Sequence, residues 1–295
     1  MAMASAERLD GDALAARLRQ ELKTRAANLR ARGIVPAMAT VLVGDNPASR
    51  FYIGRKHADC AEIGIEARDI RLPEATGRRE LLAQVARLNA DPATHGFLVQ
   101  LPLPAGLDEA EALEAVDPGK DMDGLHPVNL GRLLSGRPGL LPCTPAGVLT
   151  LLRRHGVPLA GRHVVVIGRG ALVGRPLAML LSMRGVDATV TLAHSETPDL
   201  AGLARGADII VAAAGQPDLV TAGMVRPGAA VVGVGITYVD GEAVSDIADD
   251  VAGVARWVTP RHGSVGPLTR AMLLKNLIDI AEGAGGRSAP LPGMP

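Results

Sequence analysis

From Asp12 to Arg32 the leucines at 14, 18, 22 and 29 form one apolar stripe, predicting an amphipathic helix that Gly33 stops. The period then changes. MATVLV (38–43) is an unbroken apolar run, the mark of a short buried strand, and GDNP (44–47) reads as a turn. A helix is predicted from about Ala48 to Ile63, with Gly64 as its cap. IEARDIRL (65–72) alternates as a strand does, Gly77 to Asn89 reads as a helix, and HGFLVQL (95–101) as a strand. Such alternation predicts βαβ units and a mainly parallel sheet.

Between Pro102 and Pro145 the pattern is broken by LPLPAG, DPGKDMDG, SGRPG and LPCTPAG, which predicts a linker region of loops with only short helical pieces. Alternation resumes with RHVVVIG (162–168) as a strand, Gly174 to Arg184 as a helix and ATVTLAH (188–194) as a strand. ADIIVAAAG (207–215) and AAVVGVG (229–235) read as two more, and the whole apolar run 229–239 reads as buried strand. A helix from about Val265 to Glu282 is the last strong element. No internal repeat of fixed period and no low-complexity tract interrupts this order. Two α/β domains joined by a Pro/Gly-rich middle follow, with ligands expected at the carboxyl ends of the strands.

Composition narrows the chemistry. A chain of 295 residues suits two domains, and 47% apolar with 21% charged residues is a globular balance. The 31 basic and 31 acidic residues cancel, which argues against nucleic acid or an anionic membrane as the main partner. Two Phe, two Tyr and one Trp cannot build a base-stacking platform. Small anionic ligands remain open, because Arg50, Arg55, Lys56 and His57, with Arg169 and Arg175 further on, can supply local positive charge. Cys60 and Cys143 stand far apart with no CxxC or mixed Cys/His spacing, so neither a disulfide framework nor a metal site is expected. The first residues turn polar at once and no apolar run approaches the length of a membrane span, which points to a cytoplasmic protein.

The clearest motif is HVVVIGRGALVGRPLAMLL (163–181), where a buried strand runs into Gly168, Gly170 and Gly174 and then a helix with Pro176 in its first turn. Glycines let the backbone approach a pyrophosphate while the helix N-terminus offers free N–H groups, so the loop predicts dinucleotide binding. The GxGxxxG spacing is one residue longer than the usual fingerprint, and a glycine-rich turn serving only close packing is the bland alternative. The next strand ends in His194 and Ser195 rather than an acidic residue, with Glu196 just beyond. Arg169 in the loop can pair with a 2′-phosphate, which favours NADP over NAD, unless it is a solvated loop charge.

Other candidates are less specific alone. Tyr52 and Lys56 are four apart and share a helical face, so a ring can hold a planar substrate beside a proton-transferring amine. A half-buried tyrosine next to a solvated lysine fits the same spacing. Gln100 ends a predicted strand before a Pro-rich loop, where its amide can face a cleft or tie the loop down. Asp121 and Asp123 in KDMDG fit an Asp-Gly turn, or one can accept hydrogen bonds from a heterocycle's amino and ring N–H groups. PCTPAG (142–147) reads as a loop feeding a helix capped at Thr144, and Cys143 has no evident catalytic partner.

Taken together, VGDNPASRFYIGRKH, GFLVQLPLP, KDMDG, PCTPAG, GRHVVVIGRGALVGRP, GQP and VGPLT resemble the bifunctional methylenetetrahydrofolate dehydrogenase/cyclohydrolases, in that family's order and over about Leu9 to Ala281. The resemblance implies two α/β domains with a cleft between them: a folate-binding catalytic domain over 1–143 and a Rossmann-type NADP-binding domain over 144–276. A C-terminal helix and tail (277–295) returns to the first. It implies Lys56 as the central catalytic residue, Tyr52 packing on the folate, Gln100 positioning Lys56, and Asp123 anchoring the pterin. Leu101 and Pro267 join the substrate contacts. Gly168, Arg169, Gly170, Val173, Gly174, His194, Ser195 and Ile236 are implied for the cofactor, and a homodimer for the assembly.

Four places depart from the family pattern. His262 and Ser264 replace Pro and Gly before VGPLT, and Gly233-Val234-Gly235 stands for the usual DVG. Ser245-Asp246-Ile247 stands for GDV, and Gly168-Arg169-Gly170 for GRS. They motivate an alternative, a non-catalytic or single-activity paralogue that binds NADP or folate. An unrelated dehydrogenase sharing only the dinucleotide half leaves the first 145 residues unexplained.

Overall fold

The computed structural model describes residues 6–137, 139–239, 242–261 and 264–283. Along the chain run β1 (Glu7–Arg8), α1 (Gly11–Ala31), β2 (Ala37–Val43), α2 (Pro47–Ile63), β3 (Glu66–Leu72), α3 (Arg78–Ala90) and β4 (Gly96–Val99). Then come α4 (Glu109–Glu114), α5 (Pro127–Leu134), α6 (Cys143–Arg154), β5 (His163–Ile167), α7 (Gly174–Ser182), β6 (Thr189–Ala193), α8 (Leu200–Arg205) and β7 (Ile209–Ala212). The chain finishes with β8 (Ala230–Gly233), β9 (Ile236–Val239), β10 (Glu242–Ser245), β11 (Trp257–Val258) and α9 (Val265–Ala281), with short 3-10 turns at Ala222–Met224 and Asp249–Gly253.

These elements form two compact units. Ala16–Cys143 with the described residues from Arg270 makes one, and the described residues up to Ala15 with Thr144–Thr269 make the other. The cuts differ from those expected. The start of the chain joins the second unit because β1 pairs with β11, and the last helix changes unit within its first turns, ahead of residue 277.

In the first unit, β2 lies between β3 and β4 in a parallel sheet of order β3-β2-β4. All seven residues of β2 are buried, as its unbroken apolar run requires, whereas β3 alternates at an edge. Val41, Val43, Leu81, Val85, Phe97 and Val99 form the core between this sheet and α3. Each such side chain, fully buried, contributes roughly 1.5–3 kcal/mol. The Pro/Gly-rich stretch is not a linker. It folds as part of this unit as far as Cys143, because Asp121 bridges to Phe97 at the sheet and Lys120 Nζ donates to the Leu88 and Asp91 carbonyls.

The second unit has a six-stranded, wholly parallel sheet of order β1-β11-β8-β7-β5-β6. Val165, Ile167, Ile210 and Val231 lie in its core. The chain winds outward from β5 to β6 on one side and to β7 on the other, so the switch point lies at β5. The run 229–239 is not one buried strand. β8 ends at Gly233, the Val234 and Gly235 amides both reach the Ala212 carbonyl, and Ile236–Val239 continue as an exposed hairpin strand antiparallel to β10. The chain turns there around the buried Asp246 carboxylate, which a side chain at 235 would strike. Thr144 is not a cap either. α6 already begins at Cys143, and the Thr144 hydroxyl instead pairs with that of Thr269 at 3.0 Å. No helix among the described residues is long and apolar enough to cross a membrane.

Candidate active site

Helix α2 presents the first group of predicted residues. Asn46 caps it, accepting the Ala48 and Ser49 amides at 3.0 and 3.1 Å, Pro47 opens it, and Gly64 closes it at φ 83°. Tyr52 and Lys56 follow one turn apart. The Tyr52 ring is half exposed and meets Phe51 edge to face, with centroids 5.8 Å apart. Lys56 Nζ donates to Gln100 Oε1 at 3.2 Å. Gln100 is itself immobilised: its main-chain N–H donates to the Val41 carbonyl at 2.8 Å and its Nε2 to the Leu101 carbonyl at 2.7 Å. An ammonium group only donates, so the amide oxygen must be the end facing Lys56.

The two carboxylates of KDMDG divide their roles. Asp121 accepts the Gly124 amide at 3.0 Å, the His126 amide at 2.8 Å and Asn129 Nδ2 at 2.9 Å, and is the residue that makes the turn. The Asp123 carboxylate accepts no hydrogen bond from the described residues. Burial pushes its carboxyl above the usual aspartate range, Asp121 adds to the rise, and the Lys56 charge opposes it. Lys56, Gln100 and Asp123 are therefore brought together in one unit, with Tyr52 on the same helix. His57 is not a positive charge there. Burial lowers its pKa, the Lys56 charge lowers it further against the pull of Asp69, and its Nε2 lies 3.2 Å from the Thr40 hydroxyl. Arg50 is also spent locally, on Asp45. Burial drives the Cys60 thiol up to about 12 and the Cys143 thiol well above its ordinary value, which removes both as nucleophiles.

The second group lies at the switch point of the six-stranded sheet. Gly168 leaves β5 at φ 116°, where a side chain would collide with the Ala213 carbonyl, and a side chain on Gly174 would strike the Gly168 carbonyl. Gly170 faces open space, so packing within the unit does not require its glycine. Gly168, Arg169, Gly170, His194 and Ser195 line a cavity of about 640 Å³, together with Thr197, Ala214 and Gln216. Val173 instead precedes the first residue of α7, Gly174 is buried beneath the loop, and Ile236 is exposed at the start of β9; none of the three lines this cavity. Pro267 sits in the first turn of α9.

Whether these residues suit a phosphorylated dinucleotide can be judged from the cavity wall. It contains the Arg169 guanidinium and a glycine loop before a helix N-terminus, and no Asp or Glu. Glu196 lies outside it, accepting the Ser195 hydroxyl at 3.2 Å. That donor set fits anionic phosphates, including one on the 2′ position.

Sequence reasoning missed Asp246 as a site residue. Its fully buried carboxylate accepts three consecutive amides, Ala214 and Gln216 at 2.8 Å and Gly215 at 3.1 Å, and so shapes one wall of the cavity. The only signal was an Asp within the departure Ser245-Asp246-Ile247. The departures themselves are locally accommodated. A Cβ on Gly233 would lie 2.6 Å from Ser245 Oγ, so the side chain absent from 233 is replaced by the one present at 245. Ser264 adopts φ 74°, with its amide donated to Asp12 at 3.1 Å and its hydroxyl to the Leu9 carbonyl at 3.2 Å. His262 and Gly263 lie outside the described residues.

Two family models and several solved structures match the chain. The family model for the catalytic domain of tetrahydrofolate dehydrogenase/cyclohydrolase matches residues 9–123, and the one for its NAD(P)-binding domain matches 142–284. The bifunctional FolD methylenetetrahydrofolate dehydrogenase/cyclohydrolase of Campylobacter jejuni is 42% identical, with a TM-score of 0.92 over 95% of this chain and 99% of that one. The Trypanosoma brucei methylenetetrahydrofolate dehydrogenase-cyclohydrolase, solved with NADP and an inhibitor, is 40% identical, with a TM-score of 0.88 over 96% and 99%. A 5,10-methylenetetrahydrofolate dehydrogenase from the silkworm Bombyx mori is 38% identical, with a TM-score of 0.91 over 96% and 100%. The chain that brings a lysine, an amide and a carboxyl together in one unit and lines a cavity with a glycine loop in the other is thus similar to these enzymes over nearly its whole length, and it belongs to the tetrahydrofolate dehydrogenase/cyclohydrolase family.

Proposed function

We propose that this enzyme oxidises 5,10-methylene-tetrahydrofolate to 5,10-methenyl-tetrahydrofolate with NADP and hydrolyses the product to 10-formyl-tetrahydrofolate, with Lys56 as its proton-transferring group. The observation that carries the assignment of roles is the Lys56–Gln100 hydrogen bond beside an Asp123 carboxylate that accepts no hydrogen bond from the described residues. Bound NADP supplies the hydride acceptor. In the substrate the one-carbon bridge lies between two nitrogens, so its oxidised form is a delocalised cation, and the first step asks the protein chiefly for orientation. Asp123 accepts hydrogen bonds from the pterin amino and ring N–H groups, Tyr52 covers the folate ring system, and Leu101 and Pro267 add contacts.

The second step needs protons moved. Water adds to the methenyl carbon and both of its protons leave as the formyl carbonyl forms: one goes to solvent, and one to the ring nitrogen whose bond to that carbon breaks. Lys56 Nζ shuttles this proton, aimed by Gln100, whose oxygen holds the amine and whose own amide is locked to the Leu101 carbonyl. On the cofactor side, Gly168, Gly170 and Gly174 admit the pyrophosphate, with Val173 at the helix start. Arg169 and Ser195 hold the 2′-phosphate, and His194 and Ile236 contact the nucleotide.

The working assembly is a cytoplasmic homodimer without nucleic acid or membrane partners, a reading supported by the zero net charge and by exposed Tyr238 and Val239 on the β9–β10 hairpin. Purified protein given methylene-tetrahydrofolate and NADP is expected to show methenyl absorbance that rises and then decays. Tight NADP binding with no absorbance change at high enzyme concentration would support the non-catalytic alternative instead.

A further inference from the structure

Helix α9 carries a buried amide that neither step uses. Asn276 is 6% exposed, and its Nδ2 donates to the Met122 and Leu141 carbonyls, each at 2.9 Å, with Cys143 Sγ 3.6 Å away. Both N–H groups of the amide are thus spent on main-chain carbonyls, one of them belonging to the residue directly before Asp123. The next carbonyl, that of Asp123 itself, accepts the Cys143 amide at 3.2 Å, and the following amide, Gly124, is held by Asp121 at 3.0 Å. The two peptide groups that flank Asp123 are therefore held by three hydrogen bonds, while its carboxyl is left for a ligand. The helix presenting Asn276 is itself anchored by the buried Asp279, which takes Lys275 Nζ at 2.6 Å and the Arg25 guanidinium at 2.6 Å.

We propose that Asn276 is a positioning residue for Asp123: it sets the main chain that aims the carboxyl at the pterin. An apolar residue would pack this helix equally well, whereas an amide bridging two carbonyls costs burial of a polar group, and that cost is offset only where the bridged segment must not move. The inference rests on the reading that Asp123 anchors the folate, and a double-mutant cycle separates the two.

Binding of tetrahydrofolate is measured by calorimetry for the full chain and for Asn276→Leu, Asp123→Ala and the double variant, alongside the KM for NADP and the melting temperature. Asn276→Leu is expected to weaken tetrahydrofolate about tenfold with the KM for NADP changed less than about twofold. In the Asp123→Ala background the same substitution is expected to cost no more than about twofold. Asn276→Ser, which keeps one donor, serves if the leucine variant does not fold, with a loss of about threefold expected. Equal losses in the two backgrounds, or unchanged affinity in a folded Asn276 variant while Asp123→Ala weakens binding, overturn the proposal. An Asp123→Ala protein that binds tetrahydrofolate normally overturns the reading of Asp123 instead.

Discussion

The two units hold their ligand groups in opposite ways. In the three-stranded unit side chains hold the residues in place: Lys56 donates to Gln100, Asp121 closes the turn that carries Asp123, and Asn276 holds the carbonyl just before it. In the six-stranded unit the site is mostly main chain, made possible by side chains that are missing at Gly168 and Gly174 and stiffened by the three amides that Asp246 gathers. Proton transfer needs a functional group at a defined point, which only a braced side chain supplies. Anion binding needs several N–H groups converging on one volume, which a bare backbone at a helix start supplies.

Substitutions that touch one unit only can break this contrast. The largest effect is expected for Lys56→Met, which removes the group proposed to carry the proton. Ring opening of added methenyl-tetrahydrofolate should fall by about 10²–10⁴ while NADP affinity by calorimetry stays unchanged. A mutant that hydrolyses at the normal rate would remove Lys56 from the mechanism. Arg169→Ala asks how far the main chain suffices alone on the cofactor side. Loss of one charge-assisted phosphate contact is expected to raise the KM for NADP about 10- to 100-fold and to leave that for NAD nearly unchanged. Equal losses for the two cofactors would mean that Arg169 does not read the 2′-phosphate.

A smaller effect sharpens the view of the cofactor unit as a backbone site whose side chains must make room. Gly233→Asp is expected to destabilise the protein by about 1–3 kcal/mol by overpacking against Ser245, and adding Ser245→Gly should recover most of it in urea unfolding. Additive losses in the double variant would show that the two positions do not exchange space. The smallest effect concerns the carboxyl of the other unit. Because burial raises the Asp123 pKa, ionising it opposes folding. Stability of the wild type should therefore decline as pH rises from the ordinary aspartate value of about 3.9 through the raised one, and level off above it. Asp123→Asn lacks that cost, so it should melt above the wild type at pH 7 and match it below both values. A lower melting temperature at pH 7 would show the carboxylate to be stabilising instead.

How much was legible follows from the same contrast. The glycine loop is contiguous, so strand, turn and helix start could be read together, and apolar period marked β2 to β8 and the longer helices but not β1, α8 or β9 to β11. Tyr52 and Lys56 share a helix, yet their spacing alone left the unremarkable reading standing. Lys56 and Gln100 are 44 residues apart, and only family resemblance linked them before the fold did. The Pro/Gly-rich middle misled because loop composition describes local conformation and not what a loop packs against. The single strand expected over 229–239 failed for a related reason: hydropathy is blind to Asp246, around which the chain turns.

By itself, then, the sequence determined the α/β class, the strands β2 to β8 and the glycine loop, and, through family resemblance, offered candidates for the folate side. These depend on period, contiguity and motif, which survive in one dimension. Only the tertiary structure decided that Asp121 makes the turn while the Asp123 carboxylate accepts no hydrogen bond from the described residues, that burial lowers the His57 pKa, that Asp246 gathers the amides at one wall of the cavity and that Asn276 holds the carbonyl before Asp123. Each of these is a matter of which polar group lies within about 3 Å of which other, and of how much water reaches it, and residues distant along the chain settle both.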